Sequence, residues 1–448
     1  MTDWERVRLA FSAQALSNAR VGMNFASEDT PDTSNGTPFW RRVANSLLWD
    51  IVAVVIALGS LFRYANLMPQ AARASDFSHY YLSCRMLLEG RSPYATSLVP
   101  AAKEYGLALS PDATTGSNPP VLQWLFAPFA MLNPRAAFWL WSLLQAASLG
   151  AILCLTRRLL AGRLTARAWR FLACGAVAST PMLIHFTESQ TQLLIGALLL
   201  TALALLLHRQ PITACLTVVA AGLLKLFPFA LLPWFVWRGG RTWRQRAVLA
   251  GLSVTAIGVG IVISGIPLWQ DFIQHGLVPV RYWSQNFLFN YCLAAFVKHC
   301  GGSWNAGLAA GCLALAGGYL LCLRLREDET AQFCVLTLAM LSGGTTSWSH
   351  YMVLVIFPVA VMATRVAPDP SWARVLVFTA AVLALNNVDA PTSAFPEGWH
   401  LAKLLWVYTP LFGQLALAAM FAIHSRRCGN KFTPSRSGSS TETDRTAA

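Results

Sequence analysis

Apolar runs close to the length that crosses a bilayer recur from Leu47 to Ile423. A spanning helix needs about 20 predominantly apolar residues, because the hydrocarbon interior offers no partner to an unpaired backbone group. Runs such as Ala136–Thr156 and Trp304–Leu323 meet that demand. The other spanning architecture, a β-barrel, needs alternating strands of about ten residues, and the uninterrupted run Gly196–Leu207 does not alternate. Composition agrees. Only 12% of the residues are charged, against about a quarter in soluble domains, and the mean hydropathy is +0.47. The chain reads as an all-α polytopic membrane protein.

A net charge of +14 over 448 residues would point to nucleic acid in a soluble protein. Here the basic residues cluster in short connections between apolar runs, where they act as orientation signals facing an anionic cytoplasmic leaflet. No nucleic-acid partner is expected; membrane lipids are. The ten cysteines show no metal-binding spacing, and most lie in apolar runs as small core residues. Cys292 and Cys300 share an outer loop and form a candidate pair. No metal or cofactor is expected.

Arg41 and Arg42 precede the first span (Leu47 to Asn66), which puts the N-terminus inside. Residues 1–46 read as a cytoplasmic, partly disordered segment with no cleaved signal, and 426–448 as a disordered cytoplasmic tail. Residues 67–118 then form a long first outer loop. If the short run Val121–Leu132 crossed, Arg157, Arg158, Arg163, Arg167 and Arg170 would face outside. It is therefore read as a helix at the outer surface. Alternation from there gives about twelve crossings within 47–425, a second outer loop at 267–303, and both termini in the cytoplasm. Asp76, His79, Glu188, Gln190, Lys225, Asn286, His350 and Tyr351 all fall on the outer side. Transporters instead tend to place ionisable groups near the midplane, often within internal repeats, and no such repeat is visible.

The stretch Asp76 to Tyr94 reads D-F-x-x-Y-Y-x(6)-L-L-x-G-x-x-P-Y. It resembles the first outer-loop signature of glycosyltransferase family 87, the polyprenyl-phosphate-mannose-dependent mannosyltransferases of the GT-C superfamily. Further pieces resemble the family in the same order: Asn118-Pro119-Pro120 with Pro128, Trp139 and Trp141; Gln190-x-Gln192; Lys225-Leu226-Phe227-Pro228; and Trp348-Ser349-His350-Tyr351 with Pro358. Asn118, Ser189 and Gln192 depart from the usual residues. The Asn286 region matches loosely.

The resemblance implies a GT-C-like bundle in the inner membrane that takes a hexose, mannose first, from a polyprenyl-phosphate-sugar donor. The acceptor is a lipid- or glycan-borne hydroxyl on the extracytoplasmic face. Such a transfer needs a base for the acceptor proton and donors or cations for the departing phosphate. Asp76 is the candidate base and His350 a candidate auxiliary proton carrier or hydrogen-bond partner. Lys225, at the apex between two apolar runs where an unpaired charge is costly, is the candidate phosphate ligand, with Arg281 and Arg85 weaker ones. His79 and Tyr80 would orient Asp76, Glu188 and Gln190 would bind sugar hydroxyls, and Asn286 and Tyr351 complete the substrate-binding set. Two alternatives stand beside this reading: a flippase or transporter of a lipid-linked sugar, and a lipid-carrier-dependent polymerase or ligase using diphosphate donors.

Overall fold

The computed structural model describes residues 47–429, apart from 75, 110–113, 326, 369, 389–394 and 396–397. The expected cytoplasmic segment 1–46 and most of the expected tail lie outside the described residues. Among the described residues every regular element is a helix. Residues from Val52 onward form one unit; of the preceding one, only Leu47–Ile51, the start of the first helix, is described.

The first helix, α1 (Leu47–Ala74), overruns its expected end at Asn66. The stretch expected as the first outer loop holds α2 (Asp76–Leu88) and α3 (Val99–Tyr105), so the polar loop expected there is largely helical. α4 (Pro120–Ala130) is the short apolar helix expected after the double proline. Asn133 caps α5 (Pro134–Leu159), accepting from the Ala136 amide at 2.9 Å, with proline at the first helical position where no amide donor is needed.

The apolar run Phe171–Phe186 falls in two helices, α6 (Ala166–Ala178) and α7 (Thr180–Glu188), broken where Ser179 caps the second. α7 and α8 (Gln192–Leu207) pass the test for a span as a pair but meet at 115°. α9 (Pro211–Leu224) stops at extended Lys225 (φ −147°). A 3₁₀ turn (Phe227–Leu231) leads into α10 (Leu232–Gly239). α11 (Trp243–Ser264) precedes the stretch expected as the second outer loop, which holds α12 (Ile266–Asp271), a π-helical turn (Phe272–Gly276), α13 (Leu277–Asn286) and α14 (Leu293–His299).

α15 (Trp304–Arg324) and α16 (Glu329–Gly343) follow, then a 3₁₀ turn (Ser349–Val355) into α17 (Ile356–Val366), α18 (Trp372–Asn386), α19 (His400–Val407) and α20 (Thr409–Gly429). Among the described residues, five helical segments are long and apolar enough to cross a membrane, or up to seven if each bent pair is one span. Shorter apolar helices, Pro120–Ala130, Pro211–Leu224 and Trp372–Asn386, stand beside them, and the expected figure of about twelve crossings is not confirmed. The molecule is an integral membrane protein of helical class.

Three cores hold the elements, the smallest around Tyr94, Val219, Leu223, Trp269 and Phe272. The largest centres on α8, α9, α16 and α17. The second gathers α2, α4 and α5 around Phe77, Tyr80, Phe126 and Trp141, each 1% exposed or less. α15 and α16 approach at backbone distance: a Cβ on Gly311 would meet the Gly343 carbonyl oxygen at 2.5 Å. Cys292 and Cys300 are both free, one buried and one exposed, at opposite ends of α14, so the candidate pair does not form.

Candidate functional site

The D-F-x-x-Y-Y run works as one helical turn and a half. Residues four apart share a helix face, so Phe77 and Tyr81 lie together and Asp76 and Tyr80 lie beside them. Phe77 meets Phe138 edge-on at 5.3 Å and Phe126 at 5.8 Å. The Tyr81 hydroxyl donates to the Leu132 carbonyl at 2.8 Å. These contacts dock α2 on α4 and α5. Asp76 opens the helix at its positive end, where a carboxylate is favoured.

Gln190 sits at the elbow between α7 and α8. The elbow is made by Ser189, a non-glycine residue in the left-handed region (φ 55°). The Trp141 indole donates to the Ser189 carbonyl at 2.8 Å and holds the turn. From there the Gln190 side chain serves three partners. Its Nε2 donates to Asp76 Oδ2. Its Oε1 accepts from the Tyr80 hydroxyl at 2.9 Å and from Lys225 Nζ at 3.2 Å. Lys225 Nζ also lies 5.5 Å from the centroid of the Tyr351 ring, within cation–π range.

His350 lies on the 3₁₀ turn before α17, with Nδ1 2.7 Å from Glu188 Oε2. Its buried Nε2 has no hydrogen-bond partner among the described residues. One cavity of about 910 Å³ joins these groups. Of the eleven sequence-predicted residues, eight line it: Asp76, His79, Tyr80, Glu188, Gln190, Lys225, His350 and Tyr351. Arg281 and Asn286 do not. Both are exposed. The Asn286 amide is used locally, donating to the Tyr282 carbonyl at 2.8 Å and accepting from Lys298 at 3.0 Å. Arg85 is also absent from the lining and bonds the Tyr105 hydroxyl, with Nη2 at 2.6 Å.

The Asp76 side chain is open to the cavity, while protein encloses the cavity around it. That enclosure, followed by the Glu188 carboxylate, pushes the Asp76 carboxyl above the usual carboxylate range; His79, His350 and Lys225 pull it back. Burial lowers His79, against the pull of Asp76, and raises Tyr80 well above the ordinary phenol range. Tyr80 therefore acts as a hydrogen-bond donor. Among the described residues, no group of three or more His, Cys, Asp or Glu side chains is placed to hold a metal ion.

The arrangement offers a carboxylate and a cation bridged by one amide, and an imidazole oriented by a second carboxylate. The model of glycosyltransferase family 87 matches residues 117–344, which is half of the chain. The chain belongs to glycosyltransferase family 87. The matched stretch carries Glu188, Gln190 and Lys225, and the fold brings Asp76 and His350 from either side of it to the same cavity. No curated protein matches the chain. The solved structure of ArnT from Cupriavidus metallidurans, bound to undecaprenyl phosphate, is similar at 15% identity, covering 84% of this chain and 77% of that one with a TM-score of 0.43.

Sequence reasoning missed three features of the candidate site. Glu188 engages His350, although the two were weighed separately; no local pattern links residues 162 apart. Trp141 was noted only as part of a span, yet it fixes the elbow that carries Gln190. Between α13 and α14 the buried asparagine is Asn290, whereas Asn286 is exposed.

Proposed function

We propose that this membrane glycosyltransferase moves a hexose, mannose first among candidates, from a polyprenyl monophosphate to a lipid- or glycan-borne hydroxyl on the extracytoplasmic face. The observation that carries the reading is the three-way hydrogen bonding of Gln190. It holds the Asp76 carboxylate and the Lys225 ammonium on one amide at the wall of a common cavity.

In this mechanism the acceptor oxygen attacks the anomeric carbon. Its proton passes to Asp76 as the new C–O bond forms. The bond from the anomeric carbon to the phosphate oxygen breaks, the phosphate leaves with one more negative charge, and the configuration inverts. Lys225 faces that developing charge. Tyr80, through Gln190, keeps the carboxylate aimed, and the Glu188–His350 pair contacts the acceptor or the phosphate. The raised carboxyl of Asp76 suits a base, which works best when its pKa lies nearer the working pH.

The test incubates purified protein with a radiolabelled polyprenyl-phosphate-hexose and membrane lipids. The reading expects label in a new glycosidic product, and none in a correctly inserted Asp76→Asn variant. Movement of the donor across the bilayer without a new glycosidic bond would replace it with a transporter. Transfer only from a diphosphate donor would replace it with a polymerase or ligase.

A further inference from the structure

The segment 344–348 joins the end of α16 to the turn that carries His350. It is not helical, and it begins at the Gly343-Gly344 pair. Its backbone groups therefore need partners from elsewhere. The second outer loop supplies them. Asn290, fully buried, donates through Nδ2 to the Ser284 carbonyl at 2.9 Å and to the Thr345 carbonyl at 3.0 Å. Its Oδ1 accepts from the Ser347 amide at 2.8 Å. The Tyr291 amide donates to the Ser347 carbonyl at 2.8 Å.

Both amide hydrogens and the carbonyl of one side chain are thus in use. They join the last turn of α13 to the residues just before His350. Trp348, the next residue, opens the 3₁₀ turn, its carbonyl accepting from the Tyr351 amide at 2.9 Å. Both joined pieces wall the cavity: Trp283 from α13, and Thr345 and Trp348 from the segment, with His350 on the turn that follows.

We propose that Asn290 is a positioning residue for His350, locking the 345–347 backbone so that the imidazole meets Glu188 and keeps its second nitrogen for the substrate. This rests on the glycosyl-transfer reading above. Asn290 touches no reacting atom in it. A plain packing role is the competing account, and the fold contains a matched comparison for it. Gln332, near the opposite end of α16, is also a buried amide with three bonds. It donates to the Cys322 and Leu325 carbonyls at 3.2 and 2.8 Å and accepts from the Trp234 indole at 2.9 Å, and it does not line the cavity.

The experiment uses full-length protein in detergent or nanodiscs and compares Asn290→Asp, Asn290→Ala and Gln332→Ala. Asn290→Asp keeps the shape but turns both donors into an acceptor facing two carbonyls. The expected result is a kcat per folded enzyme about 100-fold lower for both Asn290 variants, the scale of a misplaced catalytic group, with donor KM little changed. Gln332→Ala should lower Tm and leave kcat intact. Unchanged kcat in the Asn290 variants, or an equal loss in Gln332→Ala, overturns the proposal. A readout that needs no turnover accompanies it: maleimide labelling of Thr345→Cys, mapped by mass spectrometry, should speed up when Asn290→Asp is added, and equal rates overturn the proposal. A wild-type protein that transfers no hexose overturns the functional reading instead, and the labelling comparison still judges Asn290.

Discussion

At the residue scale, Asp76 is expected to trade stability for activity. Its carboxyl titrates above its unfolded value, so the unfolded chain releases its proton first as pH rises. Folding loses stability across that interval and keeps the deficit at neutral pH. Asp76→Asn removes the charge, so Tm at neutral pH should hold or rise while transfer falls by about 10²–10⁴. A Tm drop in a thermal melt would mean that the carboxylate supports the fold. The same shift places the acid limb of kcat/KM above about pH 4, and a limb below that would count against Asp76 as the base. Ser189 offers a milder case. An L-residue in the left-handed region costs about 1–2 kcal/mol, and its side chain makes only a 3.4 Å contact with the Phe186 carbonyl. Ser189→Gly should therefore raise or preserve Tm and keep activity, and a loss of either would assign the hydroxyl a role.

At the element scale, α15 and α16 touch through backbone, and Gly343 at the contact also walls the cavity. A methyl on Gly311 must separate the helices, so Gly311→Ala should destabilise by about 1–3 kcal/mol, visible as a lower Tm. An unchanged Tm would mean that the helices slide apart freely. The elements themselves were unevenly legible. α4 was readable as a short apolar helix because a double proline starts it and Asn133-Pro134 opens the next helix soon after it. The helix α2 was not, because its buried face is made of tyrosines and serines, whose value depends on Phe126, Phe138 and Trp141 far along the chain. The elbow at Ser189 hid for a related reason. Nothing local marks a serine for positive φ, and the indole that stabilises it comes from α5. Lys225 was legible at once, because a charge between apolar runs has few cheap explanations.

At the scale of the whole molecule, the cavity groups and the arginines occupy opposite ends of the same helices. α8 begins beside Gln190 and runs 16 residues to His208-Arg209, about 24 Å of helix. α9 ends at Lys225, and α10 returns to Arg238, which pairs with Glu329 at 2.6 Å at the start of α16. α16 ends at Gly343 by the cavity, and α17 carries the chain from His350 back to Arg365, paired with Asp328. Arginine clusters mark the cytoplasmic side, so the cavity should open on the other. Arg91 follows α2 and Arg244 lies at the start of α11; both are exposed. In intact cells, an impermeant maleimide should label Arg91→Cys readily and Arg244→Cys only after permeabilisation. The reverse pattern would put the cavity in the cytoplasm, where soluble nucleotide-sugars compete as donors, and would undo the case for a lipid-carried hexose delivered from outside.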